Sequence, residues 1–205
     1  MAAKKTKNTD DILKVLCDSV ESVLKLSTNT EIKYSPMTQK ISKTCLRPDI
    51  GCFIQLDGGF SGLVVLNFPS ESAIEIYRAY RLSMGQDEKK LAKSHTAEDV
   101  ADTLGELMNQ AIAGFRKNLK REFLVTVYQS QPKMLVINSE LVISINAIDR
   151  PQCRKVSFQT EHNSPFYLEF AMEKTEFIEL YEYEKEEEFD PEVVMLTEKN
   201  RLNKS

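Results

Sequence analysis

Apolar residues recur at helical spacing in three segments of the chain. Ile12, Leu13, Leu16, Val20, Val23 and Leu24 form a stripe after Thr9 or Asp10, either of which can cap a first helix through its side-chain oxygen. Ala73, Ile74, Ile76, Tyr77 and Tyr80 form a second stripe behind Pro69 and Ser70, with Ser70 as the expected cap and an end near Gly85. Val100, Leu104, Leu107, Met108, Ala111, Ile112, Phe115 and Leu119 form a third, which predicts a helix from about 97 to 120. Elsewhere the period is nearer two. Ile50 to Leu56 and Gly62 to Phe68 read as a hairpin, with Asp57-Gly58-Gly59 supplying its turn. A short strand is expected near 38–45. Segments 123–128, 133–137, 141–145, 154–158 and 166–170 read as further strands, with a turn at Asn163-Ser164-Pro165. The order of elements predicts an α+β fold, with helices packed on an antiparallel sheet.

The polar side of the third helix carries the candidate chemistry. Asp102, Glu106 and Asn109 stand at i, i+4 and i+7, within a stripe roughly 60° wide. Two carboxylates and an amide are thus offered to solvent by a helix whose back is anchored in a core. Spacing alone also fits a plain solvated face. Asp and Glu on successive turns suit acid–base work. An amide in the same stripe suits another task, because it donates and accepts hydrogen bonds without titrating. Such a group can hold a water beside a phosphorus atom, and phosphoryl transfer depends mainly on positioning and charge stabilisation. Gly105 and Gly114 lie within this helix at a cost of up to about 1 kcal/mol each against alanine, which invites a packing or docking explanation.

The segment Asp102-x-x-x-Glu106-x-x-Asn109, followed by twenty-two residues and then Pro132, resembles the signature of the CheC/CheX family of chemotaxis phosphatases. The flanks are also similar to the family: Phe60-Ser61-Gly62 through Pro69 running into a helix that ends near Met84-Gly85, and Ser130-Gln131-Pro132 at a strand edge. The segment Asp10–Thr30 resembles the family's first helix. The similarity spans about 10–173. A single copy of the motif makes CheX the nearer relative. The resemblance implies a CheC-like fold and hydrolysis of the phosphoaspartate of a CheY-like response regulator, in chemotaxis or related two-component signalling. It implies that Asn109 orients the attacking water and that Glu106 pairs with the receiver's active-site lysine. Asp102, at the looser first position, would help docking, and Pro132 would shape the strand beside the helix. Where the family usually has glycine this chain has Ala113, followed by Gly114, so a partner backbone approaches less easily there. No metal or cofactor of its own is implied, since the receiver brings its own magnesium ion. A homodimer is implied as well. The alternative is an interaction module that docks on a receiver domain without turnover.

Composition narrows the classes. The 205 residues suit one domain with an appendage, and a net charge of −4 does not favour nucleic-acid binding. No apolar run reaches the ~20 residues of a membrane span. No apolar stretch follows the basic start, so no signal peptide and a cytoplasmic location are expected. Cys17, Cys45, Cys52 and Cys153 are widely separated and read as buried thiols. His95 and His162 are too far apart in sequence to suggest a zinc site. Neither a Gly-x-x-x-x-Gly-Lys loop nor a Gly-x-Ser-x-Gly elbow occurs. Asp57-Gly58-Gly59 can cradle a phosphate through backbone N–H groups, but a hairpin turn explains it without a ligand. Residues 1–9 are expected to be a disordered tail, 10–173 the folded domain and 174–205 an acidic extension, in which Glu182, Glu184 and Glu186 to Glu188 repel one another.

Overall fold

The structure, a computed structural model, describes residues 6–178 apart from 147 and 149. The rest of the expected acidic extension lies outside the described residues. Thr6–Phe177 forms one compact unit. Along the chain it runs β1 (Thr6–Asn8), α1 (Thr9–Thr28), β2 (Lys33–Tyr34), β3 (Gln39–Ile41), β4 (Thr44–Leu46), β5 (Ile50–Gly58), β6 (Gly62–Phe68) and α2 (Ser70–Ser83). It continues with α3 (Glu98–Phe123), β7 (Val127–Gln129), β8 (Lys133–Val136), β9 (Leu141–Ile143), β10 (Gln152–Gln159), β11 (Pro165–Met172) and β12 (Glu176–Ile178). The first helix begins earlier than expected. Its cap is Asn8, neither Thr9 nor Asp10. The Asn8 side chain accepts from the N–H groups of Asp10 and Asp11, and the Asp11 carboxylate accepts from the Asn8 N–H. Thr6–Asn8 is itself a strand, so order reaches into the expected tail, and β12 reaches past residue 173.

The main sheet runs β2-β10-β11-β6-β5-β7, with β3 also along β10 and β8 also along β5. Neighbours in it pair antiparallel. The three helices cover one face, as the sequence pattern requires. Ile12, Leu16, Leu107, Ile112 and Phe115 from α1 and α3 meet Ile54, Val64, Leu66, Phe68 and Phe166 from the sheet, all fully buried. The other face is covered too, which the sequence pattern did not predict. β4 and β9 pair into a two-stranded ribbon over Leu63, Val65, Cys153 and Ala171. Every residue of β6 is therefore buried, and its apolar run Leu63–Leu66 needs both covers.

Polar groups hold the ribbon in place. The Asn67 side chain accepts from the Arg47 N–H at 2.7 Å and donates to Cys45 O at 2.9 Å. Glu169, with no exposed surface, accepts from the Cys45 N–H at 2.8 Å and lies 3.5 Å from the Arg47 guanidinium. These side chains satisfy the backbone of β4 where β6 and β11 offer no free edge. All four cysteines are buried and unpaired, and burial pushes the thiols of Cys17 and Cys52 up to about 12.

Two other elements differ from expectation. Ser70 is not the cap of α2; its own N–H donates to Asp49 Oδ2 at 2.7 Å, so a residue before β5 satisfies the helix start. The stretch 123–128 is mostly not strand, because α3 runs through Phe123 and stops at Leu124 in the left-handed region, φ 56°. Phe123 meets Phe177 edge-on with ring centroids 6.1 Å apart, which rewards keeping it helical.

Burial raises the Glu169 carboxyl above its ordinary 4.5, against the opposing pull of the Cys45 N–H and Arg47. A carboxyl that holds its proton more tightly when folded favours the fold most below the unfolded value, and that contribution fades as pH rises through the folded one. The stability of wild type relative to Glu169→Gln should therefore fall as pH climbs above about 4 in denaturant titrations. A difference that stays constant with pH would show an unshifted group.

Candidate functional site

α3 buries Val100, Thr103, Leu104, Leu107, Met108, Ala111, Ile112, Phe115 and Leu119, which fixes its rotation. Asp102, Glu106, Asn109 and Ala113 are consequently exposed together along the opposite stripe. The stripe is flanked on one side by α2 and on the other by the β7–β8 edge, and each flank reaches one candidate side chain.

Glu106 is met from α2. The Tyr80 hydroxyl donates to Glu106 Oε1 at 3.2 Å, and Gln110 Nε2 donates to the same oxygen at 3.3 Å. Burial pushes the Tyr80 phenol above its ordinary value, and the Glu106 carboxylate adds to the effect, so the hydroxyl keeps its proton and remains a donor. One turn earlier on α2, the Tyr77 hydroxyl donates to Asp99 Oδ2 at 2.8 Å, and Arg81 donates to Asp99 Oδ1 at 2.9 Å. These contacts fasten the start of α3 to α2. Tyr77 and Tyr80 were legible as apolar stripe residues; their hydroxyl ends were not assigned a task.

Asn109 is met from the sheet edge. Gln129 Nε2 donates to Asn109 Oδ1 at 2.8 Å. Arg116 Nε donates to Val127 O at 2.8 Å, and Arg116 Nη1 lies 3.5 Å from Gln129 Oε1. Sequence reading missed both residues. Arg116 follows Asn109 by two helical turns, a signal the spacing did hold, but Gln129 reaches the site only through tertiary packing.

Pro132 is half-buried and sits at a break in the edge strand. β7 pairs with β5 through Leu56↔Gln129, and β8 resumes at Phe53↔Lys133, so the edge gains one residue between them. This is a β-bulge at Ser130–Pro132. Ser130 bridges it, donating its N–H to Gln55 O at 2.9 Å and accepting from the Gln55 N–H at 3.0 Å. Proline has no N–H to give to a ladder and fits such a break. Beyond it Met134 packs on α3. A Cβ on Gly105 would lie 3.2 Å from Met134 Cγ, so this glycine permits the close approach of helix and strand.

The Asp57-Gly58-Gly59 turn is closed on itself. Gly58 adopts φ 124° and donates to Asp57 Oδ1 at 2.9 Å, while Gly59 donates to Thr126 O at 2.9 Å. Neither N–H is left for a phosphate. Among the described residues there is no group of three metal-ligating side chains, and no helix is long and apolar enough to cross a membrane.

Fold and stripe together define a protein with the CheC/CheX-like fold. The chain is similar to CheX from Desulfovibrio desulfuricans, at 19% identity and TM-score 0.63, over 80% of this chain and 99% of that one. It is similar to a CheC-like superfamily protein from Shewanella sp. PV-4, at 21% identity and TM-score 0.65, over 82% and 99% of the two chains. It is also similar to a Borrelia burgdorferi chain from a CheX–CheY–BeF3–Mg2+ complex, at 17% identity and TM-score 0.54, over 80% and 98%. No curated protein matches the sequence. The chain belongs to the family described as "Protein of unknown function (DUF3334)", whose model matches residues 3–205.

The two glycines of α3 should respond differently to substitution. A Cβ on Gly114 meets nothing within 4 Å, so Gly114→Ala should stabilise by roughly 0.5–1 kcal/mol through helix propensity. Gly105→Ala should give a smaller gain or a loss, because Met134 must move. Denaturant unfolding of both variants decides the order, and the reverse ranking would contradict the packing described.

Proposed function

We propose that this protein docks α3 on a CheY-like receiver domain and speeds hydrolysis of its phosphoaspartate, in chemotaxis or a related two-component pathway. The observation that carries the reading is the joint exposure of Glu106 and Asn109 on one stripe of a core-anchored helix, each braced from a different flank. The solved Borrelia complex, in which a chain of the same fold accompanies CheY, BeF3 and Mg2+, supports the partner class.

In this reading the receiver supplies the acyl phosphate, the magnesium ion and a lysine. Glu106 enters beside that lysine and forms a charge-assisted contact, with Tyr80 holding its other oxygen. Asn109 holds a water in line with phosphorus. The water oxygen bonds to phosphorus, the bond to the aspartyl oxygen breaks, and inorganic phosphate leaves with the carboxylate restored. No group of this protein needs to exchange a proton for the step, since positioning supplies most of the gain. Asp102 and Pro132 border the docking surface. A receiver acting in two-component signalling sets the location as cytoplasmic. A symmetric homodimer belongs to the same reading. It is supported by exposed apolar side chains on β8 and β9, Leu135, Val136, Leu141 and Val142, beside strand edges that need cover.

A non-catalytic docking module is the second reading, favoured by one feature. Ala113 is exposed on the stripe, and its Cβ holds a partner backbone further away than glycine does.

Phosphate release from an acetyl-phosphate-charged receiver of the same cell separates the two readings. Asn109→Ala should lower the saturating rate by about 10²- to 10³-fold with the fold intact. Glu106→Ala should chiefly raise the receiver concentration needed for half-maximal rate. Acceleration by wild type that Asn109→Ala matches in full would remove the water-positioning role. No acceleration with any receiver of that cell leaves the docking module. For the dimer, light scattering at high concentration should give twice 23.4 kDa, and a mass of one chain would count against it.

A further inference from the structure

We infer that Arg116 and Gln129 decide which end of the Asn109 amide faces the docking partner, and that they turn its NH2 group outward. The consequence for turnover rests on the receiver reading; the arrangement itself does not.

An amide side chain has two ends of nearly equal size, one donating and one accepting, so packing alone does not choose between them. Here a donor-only group stands at the head of the chain of contacts. Arg116 is half-buried on α3, and its Nε is committed to Val127 O of β7 at 2.8 Å. Its Nη1 faces Gln129 at 3.5 Å. A guanidinium cannot accept and does not lose its proton in the working range, so Gln129 must turn its oxygen toward it. That leaves the Gln129 NH2 toward Asn109, where it donates to Oδ1 at 2.8 Å. The oxygen of Asn109 is then occupied from the sheet side, and among the described residues nothing accepts from its Nδ2. Each link runs in one direction, and the direction is set by the residue that has no choice.

The polarity matches the chemistry of the proposed target. Phosphoryl and carboxylate oxygens are acceptors, and an outward carbonyl would be repelled by them. An outward NH2 donates to the water, whose remaining lone pair is then directed at phosphorus, or to a phosphoryl oxygen. Arg116 and Gln129 are positioning residues in this scheme; neither touches the phosphoryl group.

The test starts with the protein alone. Hydrogen-exchange NMR of its 15N-labelled side-chain amides should show a protected Gln129 Nε2 proton and freely exchanging Asn109 Nδ2 protons. In Gln129→Glu the new carboxylate can only accept, so Asn109 should reverse and one of its Nδ2 protons should become protected. Arg116→Lys should keep the wild-type pattern, and Arg116→Met should weaken protection at Gln129. Backbone spectra and thermal unfolding check that each variant is folded. With an acetyl-phosphate-charged receiver, saturating rates should fall in the order wild type, Gln129→Met, Gln129→Glu, the last by at least ~10-fold. A merely structural role predicts the opposite order, because Gln129→Glu keeps shape and the Arg116 contact whereas Gln129→Met loses every hydrogen bond. Protected Asn109 Nδ2 protons in wild type, or Gln129→Met as slow as Gln129→Glu, would overturn the inference. If wild type fails to accelerate any receiver, the functional reading falls and the exchange pattern still decides the relay.

Discussion

The rotation of α3 about its own axis governs the rest of the structure. One side of this 26-residue helix is buried from Val100 to Leu119, where only Thr103 is polar and no buried residue is more than 1% exposed. Turning the helix by even half a residue spacing would bring Asp102 or Glu106 toward the core, where an unpaired carboxylate costs several kcal/mol. The site therefore inherits its geometry from hydrophobic burial. α1 and the sheet set the helix depth, α2 fixes its start through Asp99, and the β7–β8 edge lies along its other flank. A candidate stripe built this way takes its position from apolar packing beneath it.

Much of this was readable because period and burial coincide. The three helices, the β5–β6 hairpin and the exposed stripe all follow from apolar spacing. What was hidden depends on partners remote in sequence. Strands were legible near both halves of the β4–β9 ribbon, at 38–45 and 141–145, but their pairing with each other was not, and it is fastened by Glu169 and Asn67. Sequence reading assigns such residues to the surface by default. The caps also moved: Asn8 supplies one of them one residue earlier, and Asp49, beside Phe68 at the head of the neighbouring strand, meets the start of α2. At the site, Glu106 and Asn109 were legible on one helix. Tyr80 and Gln129 come to them from other elements.

The bulge at Ser130–Pro132 links these two levels. Without the extra residue, β7 and β8 would pair with β5 in a single register, and either Gln129 or Met134 would lose its inward direction. With it, one strand edge offers a polar side chain to Asn109 and, past the break, an apolar one to Gly105. The local irregularity lets a short edge serve both the site and the packing of the helix that carries it.

Lys7 gives the beginning of the chain a hold on the far end of α3. Its ammonium lies 4.4 Å from the centre of the Phe123 ring and donates to Glu122 O, one of the carbonyls that the end of the helix leaves without a helical partner. Shortening the chain past Lys7 would release that carbonyl and uncover the ring, and fraying would then travel from Phe123 back toward Arg116. For anyone trimming or tagging this protein, the segment around Lys7 is mechanically part of α3.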